Sequence, residues 1–247
     1  MPPLLSAIRT TATLLVVWQG SVWLFAPPRY TLPSPLDVLG ALLRQPAYLL
    51  DHTRVTLGEI MAGLAAGTVL GVLTALLVVA LPRVGRTVWP VVLILQAFPV
   101  FAIAPLLVLW FGFGMTSKVV MTTLIIFFSV ASAFADGLRR IDPDILDATA
   151  ITDATPWQSL VRVRVPLALP SLISGLRVAA PLAPLGAVVG EWVGAAAGLG
   201  FVMVQASARM QTDTVFAAMA ILAVLTLILR RAVDALAPIL TPWALER

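Results

Sequence analysis

The sequence predicts an all-α membrane protein with six transmembrane helices. Of its 247 residues, 60% are hydrophobic and 11% are charged, and the mean hydropathy is +1.00. Soluble domains usually carry about 25% charged residues. A spanning helix needs about 20 largely apolar residues, and several stretches reach or approach that length. Composition and hydropathy therefore favour one polytopic helical bundle over a soluble domain.

The six predicted spans are separated by more polar connections. We place them near residues 10–26, 55–81, 88–111, 118–135, 171–192 and 214–230. The first apolar segment precedes Pro27 and Pro28 without a small-residue cleavage site, so we expect a retained helix instead of a removed signal peptide. We expect the whole chain, 1–247, to form a single transmembrane domain, with residues 136–170 outside the membrane.

The distribution of basic residues predicts the orientation. With six spans, ten arginines fall on the side of both termini and of residues 136–170, whereas five cations, Lys118 among them, fall on the other side. Cytoplasmic loops carry an excess of Lys and Arg. We therefore expect both termini and residues 136–170 in the cytoplasm, and Arg177 to extend towards that surface. Arginines scattered in this way do not form the basic patch of a nucleic-acid-binding protein.

The composition also excludes several chemistries. The chain has no cysteine and one histidine, His52. Disulfides, thiolate metal sites, cysteine nucleophiles and HExxH zinc sites therefore lack their residues. The phosphate-binding pattern G-x-x-x-x-G-K-[ST] does not occur in the sequence, so we do not expect this chain to hydrolyse ATP through one.

Prolines and caps predict where helices break and begin. Pro99 and Pro105 should kink or interrupt the third span. Ser34 can cap a helix with Pro35 at its first position and Asp37 three residues after the cap. These signals predict a broken third span and a short interfacial helix before the second span.

Two spans carry glycine at every fourth position. The positions are Gly63, Gly67 and Gly71, and Gly186, Gly190 and Gly194. Such stripes let helix backbones approach closely where no hydrophobic effect drives association within lipid. We expect them to be packing surfaces.

The segment 136–170, which we call the coupling loop, carries two helix starts. Asp142 before Pro143 begins a short amphipathic helix that should stop around Asp153. Thr155 begins a second helix, with Pro156 at its first position and Gln158 completing a capping box. We expect two short helices across the membrane face, where they contact the bundle, a partner or only the interface.

The sequence "DATAITDATPWQSLVRVRVPLALPSLISGLRVA" resembles the cytoplasmic EAA loop of permease subunits of type I ATP-binding-cassette importers. Asp147 and Ala148 match the first two positions, and Thr149 replaces the second alanine. Asp153 stands where that family has glycine. A glycine suits a left-handed turn, and aspartate adopts that conformation less readily.

The resemblance extends over most of the chain. "LPSPLDVL" at 32–39, "APLLVLWFGFG" at 104–114 and "GEWVGAAAGLGFVM" at 190–203 resemble the nitrate, sulfonate and taurine branch. Residues 183–219 are closer to permeases for pyrimidine precursors of thiamine. The resemblance implies the type I importer permease fold and import of hydroxymethylpyrimidine or its formylamino form. Sulfonate, taurine, nitrate and riboflavin remain alternative cargoes, and an ion-driven secondary transporter is the alternative class.

The resemblance also implies partners and a place in the cell. We expect a homodimer of permeases, two ATPase subunits that use ATP and Mg, and a substrate-binding protein outside a bacterial inner membrane. This chain itself would bind no cofactor. The residues that match the coupling segment are Asp147, Ala148, Thr149, Ile151, Asp153, Ala154, Trp157 and Pro166.

A second group of residues is predicted for the substrate pathway. They are Glu191, Trp192, Gln96, Phe98, Ser132 and Gln205. A membrane-embedded acid such as Glu191 marks a functional site by default, although pairing with Arg209 or another outer cation would make it structural. Glu59 has the same ambiguity, with Arg54 as its candidate partner. The polar residues equally suit interhelical hydrogen bonds, and the aromatic ones suit interfacial belts.

Overall fold

Helices account for most of the chain in the computed structural model, which describes residues 3–244. The helices are α1 (Pro3–Phe25), α2 (Pro35–Arg44), α3 (Pro46–Ala80), α4 (Pro82–Ala97), α5 (Val100–Phe111), α6 (Met115–Arg139), α7 (Pro143–Ala150), α8 (Pro156–Ser159), α9 (Val165–Trp192), α10 (Leu199–Ala208) and α11 (Thr212–Leu240). A π-helical turn, Leu160–Arg164, joins α8 to α9, and the short 3-10 helix Pro242–Ala244 follows α11.

Four of the described helices are long and apolar enough to cross a membrane. They are α3, α6, the continuous helix Pro156–Trp192 and α11. The pair α4 and α5 makes a fifth candidate if the two count as one bent span. The all-helical prediction is therefore confirmed, and these helices correspond to five of the six predicted spans.

The third predicted span breaks where its first proline predicts. The axes of α4 and α5 differ by 99° across the break. Phe98, which precedes Pro99, is extended with ψ 133°, as steric contact with a following proline favours. Pro105 lies inside α5 and does not end it.

The prediction of a second, separate short helix in the coupling loop is wrong. The helix that begins at Pro156 runs through the π-helical turn into α9 and forms one helix of 37 residues. Within that turn the Val165 N–H bonds to the Leu160 carbonyl, five residues earlier. The wider turn precedes Pro166, which has no N–H to donate, and the helix can continue through it.

The glycine stripes are packing surfaces, as predicted. A Cβ added to Gly67 would lie 2.6 Å from Ile126 Cβ, and one on Gly71 would lie 2.9 Å from Val130 Cβ. Both positions advance together, so α3 and α6 run parallel. On α9, a Cβ at Gly186 would lie 2.8 Å from Thr122 Cα. No side chain larger than hydrogen fits there unless one of the two helices shifts.

These directions give the bundle two distinct ends. The loop end holds the final turns of α3 and α6 together with α7 and α8, and its apolar core includes Ala75, Phe134, Leu160 and Ala168. The other end holds the first turns of α3 and α6 and the last turn of α9, and we call it the cluster end. Each helix that joins the two ends therefore has a known direction. Helices α3 and α6 run towards the loop end, and α9 runs towards the cluster end.

The short helix α2 packs beside α11. Its predicted cap is confirmed: the Asp37 N–H donates to the Ser34 hydroxyl over 3.2 Å, and the Ser34 hydroxyl donates to the Asp37 carboxylate over 2.7 Å. The hydrogen bonds that the Ser34 hydroxyl and the Ser34 N–H donate to the carboxylate hold the pKa of Asp37 below its usual value. Arg44 at the end of α2 forms an ion pair with Asp213 at the start of α11.

Arg177, which we expect to extend towards the cytoplasmic surface, contacts the neighbouring helix α11. Its guanidinium forms an ion pair with Asp234 of α11 over 2.8 Å. Arg230 donates to the Arg177 carbonyl over 3.1 Å and also contacts Asp234. The three residues connect α9 to α11 with their side chains still partly exposed.

Candidate functional site

Helix α7 projects from the loop end, because none of its residues is buried. Its predicted start is confirmed, since the Asp142 carboxylate accepts the Asp144 N–H over 3.0 Å. The Thr149 hydroxyl donates to the Leu146 carbonyl over 2.7 Å within the helix. The helix is locally well formed but has little contact with the rest of its own chain.

A left-handed residue separates α7 from α8. Asp153 has φ +55°, the conformation for which a glycine would be favoured. The turn is therefore retained despite the aspartate. Next to it the Thr155 N–H donates to Gln158 Oε1 over 3.0 Å, and the Gln158 N–H donates to the Thr155 hydroxyl over 3.2 Å. This reciprocal pair is the predicted capping box.

Seven of the eight residues predicted for coupling lie on α7, on α8 and on the turn between them, and Pro166 lies in the first turn of α9. Ile151 is 85% exposed and Trp157 is 66% exposed. The other members of the set are exposed or half-buried: Asp147, Ala148, Thr149, Asp153, Ala154 and Pro166. Leu160, only 4% exposed, joins the apolar core at the base of the segment. The loop thus has a fixed base and an open outer face with two large apolar side chains.

Three charged side chains are buried at the cluster end. Glu59 of α3, Lys118 of α6 and Glu191 of α9 retain only 3%, 1% and 2% of their exposure. Burying charges is costly unless each is paired or hydrogen-bonded. Together with His52 and Thr56 of α3 they form what we call the polar cluster.

Glu191 is hydrogen-bonded to two other elements. The Thr56 hydroxyl donates to Glu191 Oε1 over 2.6 Å, and the Gly200 N–H donates to Glu191 Oε2. Thr56 in turn accepts the Leu199 N–H over 2.7 Å. These contacts fix the first turn of α10 against α3 and α9, and they satisfy the N–H groups that a helix start leaves free.

His52 and Lys118 hold the segment between α9 and α10. His52 Nδ1 accepts the Gly198 N–H over 2.9 Å. The Lys118 ammonium donates to the carbonyls of Phe113 and Gly194, each over 2.7 Å. A buried ammonium that bonds main-chain carbonyls satisfies acceptors that an irregular segment cannot pair within itself.

Glu59 completes the polar cluster and differs from Glu191 in its contacts. Its Oε2 atom is buried and has no hydrogen-bond partner. Its carboxyl group lies close to Glu191 and to Lys118. The cluster therefore contains one acid that is fully used by the structure and one that is not.

Neither candidate arginine pairs with its acid, whereas Lys118, another of the predicted outer cations, lies near both Glu59 and Glu191. Arg54 pairs with Asp51 over 2.9 Å and does not pair with Glu59. Arg209 is exposed at the end of α10, and Glu191 uses neutral donors in its place. Lys118, expected among the cations of the outer connections, is buried within the bundle. Local sequence proximity favoured Arg54, but α3 directs positions 56 and 59 to its neighbours and leaves 54 exposed.

The six pathway candidates lie in different environments. Gln96 and Phe98 are exposed at the break between α4 and α5, whereas Ser132 and Gln205 are half-buried. Trp192 is 52% exposed although its neighbour Glu191 is buried. Their assignment to a substrate pathway stays a prediction.

Sequence reasoning missed Thr56 and His52 as members of the polar cluster. A usable signal was present, because positions 52, 56 and 59 recur at helical spacing and lead into the stripe of Gly63 and Gly67 on the same side of α3. A polar stretch that continues a close-packing stripe indicates buried hydrogen bonds at a helix contact.

Comparison with known proteins identifies the family to which this chain belongs. Residues 67–243 match the family described as binding-protein-dependent transport system inner membrane component. The chain is 46% identical over 244 residues to a probable ABC transporter permease protein of Haemophilus influenzae, covering 99% of this chain and 96% of that one.

A relative with a stated cargo and a solved structure also match. The formylaminopyrimidine transport permease protein ThiX of Halalkalibacterium halodurans is 38% identical over 231 residues, covering 93% of this chain and 92% of that one. A chain from the inward-facing MetNI methionine ABC transporter superposes with a TM-score of 0.69 at 22% identity, covering 80% of this chain and 98% of that chain. The latter likeness establishes a shared fold.

Proposed function

Because the chain belongs to the family of binding-protein-dependent transport system inner membrane components, and is an integral-membrane ABC importer permease subunit, we propose that it translocates a pyrimidine precursor of thiamine. Permeases of this family act with a separate ATPase and a binding protein. The observation that carries the proposed cargo is the near full-length similarity to ThiX. Hydroxymethylpyrimidine and its formylamino form are the proposed solutes.

The proposed site of ATPase contact is the outer face of the coupling loop. Ile151 and Trp157 are large, apolar and exposed on a segment whose own helix α7 buries no residue. Exposed aromatic and aliphatic side chains of this kind typically fill pockets of a partner. Asp147 lies on α7 and contributes a negative charge to the proposed contact, and a substitution can reverse that charge.

The continuous helix from Pro156 to Trp192 supports a mechanical connection to the opposite end. Its 37 residues correspond to about 55 Å at 1.5 Å per residue. A displacement of α8 by ATPase closure would therefore move Glu191 and Trp192 at the cluster end. The π-helical turn is a place where such a helix can bend. In this proposal two identical permeases open alternately to the two sides of the membrane.

The proposed topology has six spans with both termini in the cytoplasm. Helix α1 supports the sixth span, because its 23 residues correspond to about 34 Å, enough for a hydrocarbon core of about 30 Å. Its side chains Val16, Leu24 and Phe25 are more than two-thirds exposed, which suits contact with lipid. The excess of arginine at the loop end supports a cytoplasmic position for residues 136–170.

The first experiment is gentle affinity purification of the tagged chain from its native membrane, followed by mass spectrometry. We expect an ATPase to copurify with the wild-type chain and Asp147→Arg to reduce its recovery at least tenfold. Asp51→Arg, a charge reversal on an exposed acid at the cluster end, is the matched control and should leave recovery unchanged. Equal recovery with Asp147→Arg would refute the coupling assignment.

A topology experiment can use the natural absence of cysteine. Asp147→Cys at the loop end and Ala196→Cys at the cluster end each introduce the only thiol of the chain. In intact cells, a membrane-impermeant maleimide should label the Ala196 variant and leave the Asp147 variant unlabelled until the cells are permeabilised. The reverse pattern would invert the proposed orientation.

Transport in proteoliposomes tests the cargo. With the copurified ATPase and binding protein, we expect ATP-dependent uptake of labelled formylaminopyrimidine that excess unlabelled hydroxymethylpyrimidine inhibits and taurine does not. Inhibition by taurine, nitrate or riboflavin would replace the proposed solute. Uptake by the chain alone, driven by an ion gradient, would identify a secondary transporter.

A further inference from the structure

A long apolar trough lies at the loop end, between α3 and α8. Its volume is about 790 Å³, and Leu73, Leu77 and Trp157 contribute to its walls. From Ala80 to Leu73 the trough follows α3 for about 10 Å at 1.5 Å per residue. It therefore begins at the membrane face and extends into the depth of a membrane-spanning helix.

A second hollow adjoins the trough and carries positive charge. It has a volume of about 430 Å³ between the start of α4 and the end of α6, and it is lined by Arg86 and Arg139. Val79, Pro82 and Arg164 line both hollows. The two are thus one groove, apolar along α3 and cationic at its mouth, which we call the cationic groove.

The arginines of the cationic groove lack carboxylate partners within residues 3–244. Arg86 and Arg164 form no ion pair there, and the Arg139 guanidinium stacks over the Trp89 ring at 4.7 Å from its centre. The neighbouring Arg140, by contrast, has Asp136 at 3.9 Å. Three guanidinium groups that line one hollow supply positive charge and N–H donors, and this combination suits the binding of a phosphate group.

We propose that the cationic groove binds an anionic phospholipid, with its phosphate at Arg86, Arg139 and Arg164 and an acyl chain in the trough along α3. Basic pockets between transmembrane helices at a membrane face recognise anionic headgroups. The depth of the trough favours a lipid over an acidic protein surface, because a protein partner could neutralise the arginines but would leave the apolar part within the bilayer uncovered.

Native mass spectrometry of the detergent-purified protein, with the subunits that copurify, tests this site. The probes are dioleoyl phosphatidylglycerol and dioleoyl phosphatidylcholine, which have the same acyl chains and differ in net charge. We expect the first lipid to be retained in preference to the second. The double variant Arg86→Gln, Arg164→Gln should weaken phosphatidylglycerol retention on the order of 30-fold, from about 1 kcal/mol for each removed charge.

Two further variants separate the parts of the groove. Arg140→Gln removes an exposed arginine outside the groove and should leave lipid retention unchanged. Ala80→Phe fills the trough without removing charge and should reduce retention of both lipids. Matching elution profiles and melting temperatures establish that the variants are folded.

Several outcomes would overturn the lipid site. Equal retention of both lipids, or undiminished phosphatidylglycerol binding to the double variant, would show that the arginines do not bind the headgroup. Complete displacement of the lipid by millimolar inorganic phosphate would mean that only an anion is bound. Loss of the ATPase from the double variant, with lipid retention unchanged, would identify the groove as a protein interface. The last result leaves the proposed importer function intact.

Discussion

The two ends of the bundle differ in whether they bury charged side chains. At the cluster end Glu59, Lys118 and Glu191 are buried, and the lysine and Glu191 are bound to main-chain groups and Thr56. At the loop end Arg86 and Arg139 are exposed, and α7 buries no residue. The cluster end thus buries three ionisable side chains and satisfies most of their polar atoms internally, whereas the loop end leaves Arg86, Arg139 and α7 exposed.

The difference follows from what each end must satisfy. The segment between α9 and α10 is irregular, with Gly194 at φ +159° and Gly198 at φ +110°, and its buried main-chain groups need hydrogen-bond partners within the protein because burial removes them from water. Groups at the loop end can be satisfied by water, lipid headgroups or another subunit. The polar cluster therefore stabilises the permease, whereas the coupling loop is the part that we propose contacts other molecules.

The largest expected effect comes from removing the lysine of the polar cluster. Lys118→Met leaves the carbonyls of Phe113 and Gly194 without their donor and removes the positive charge near two buried acids, and it should lower the free energy of unfolding by about 3–5 kcal/mol. Unfolding with SDS in mixed micelles measures it. Arg83→Met, which removes an exposed cation at the loop end, should change stability by no more than about 0.5 kcal/mol. Equal effects of the two substitutions would erase the contrast between the ends.

A smaller effect is expected midway between the ends. Gly67→Ala places a Cβ 2.6 Å from Ile126 Cβ, and separating α3 from α6 should cost about 1–3 kcal/mol. Gly40→Ala on α2 is the control, because its Cβ would meet no atom within 4 Å and alanine favours a helix by about 1 kcal/mol. Unchanged stability of the Gly67 variant would show that the stripe is not a close contact.

At the loop end the expected change is local. Thr155→Ala removes the cap of α8 and should destabilise its first turn by about 1 kcal/mol. Hydrogen exchange should therefore accelerate about fivefold at residues 155–160, while global unfolding is unaffected. Thr155→Ser keeps the hydroxyl and should behave as wild type. Slow exchange in the alanine variant would mean that the coupling loop is held by contacts other than its cap.

The smallest effect is expected at Asp153. Asp153→Gly relieves the left-handed conformation and should stabilise the turn by less than about 1 kcal/mol. Asp153→Ala keeps the strain and loses the side chain's local hydrogen-bonding capacity, so it should be the less stable of the two. Exchange rates of the amides at 151–155 distinguish them. A stability order with alanine above glycine would contradict the left-handed turn.

The sequence by itself determined the features that depend on neighbouring residues. The break at Pro99, the caps at Ser34, Asp142 and Thr155, and the apolar composition of the spans all follow from steric restriction, nearby hydrogen bonds and transfer to lipid. Each of these acts within a few positions, so a single sequence contains the whole cause. The left-handed conformation of Asp153 is anticipated only through the glycine that the resembling family has at that position.

Only the tertiary structure decided which distant groups meet. Thr56 and Glu191 are 135 positions apart, and their contact depends on the rotation of α3 and α9 about their axes. The rotation of α6 directs Lys118 inward, and that of α3 leaves Arg54 outside with Asp51. The continuity of α8 with α9 is also a tertiary result, because Leu160 is held in the core while a π-helical turn accommodates Pro166. Such outcomes depend on how several helices pack at once, and no local pattern contains that information.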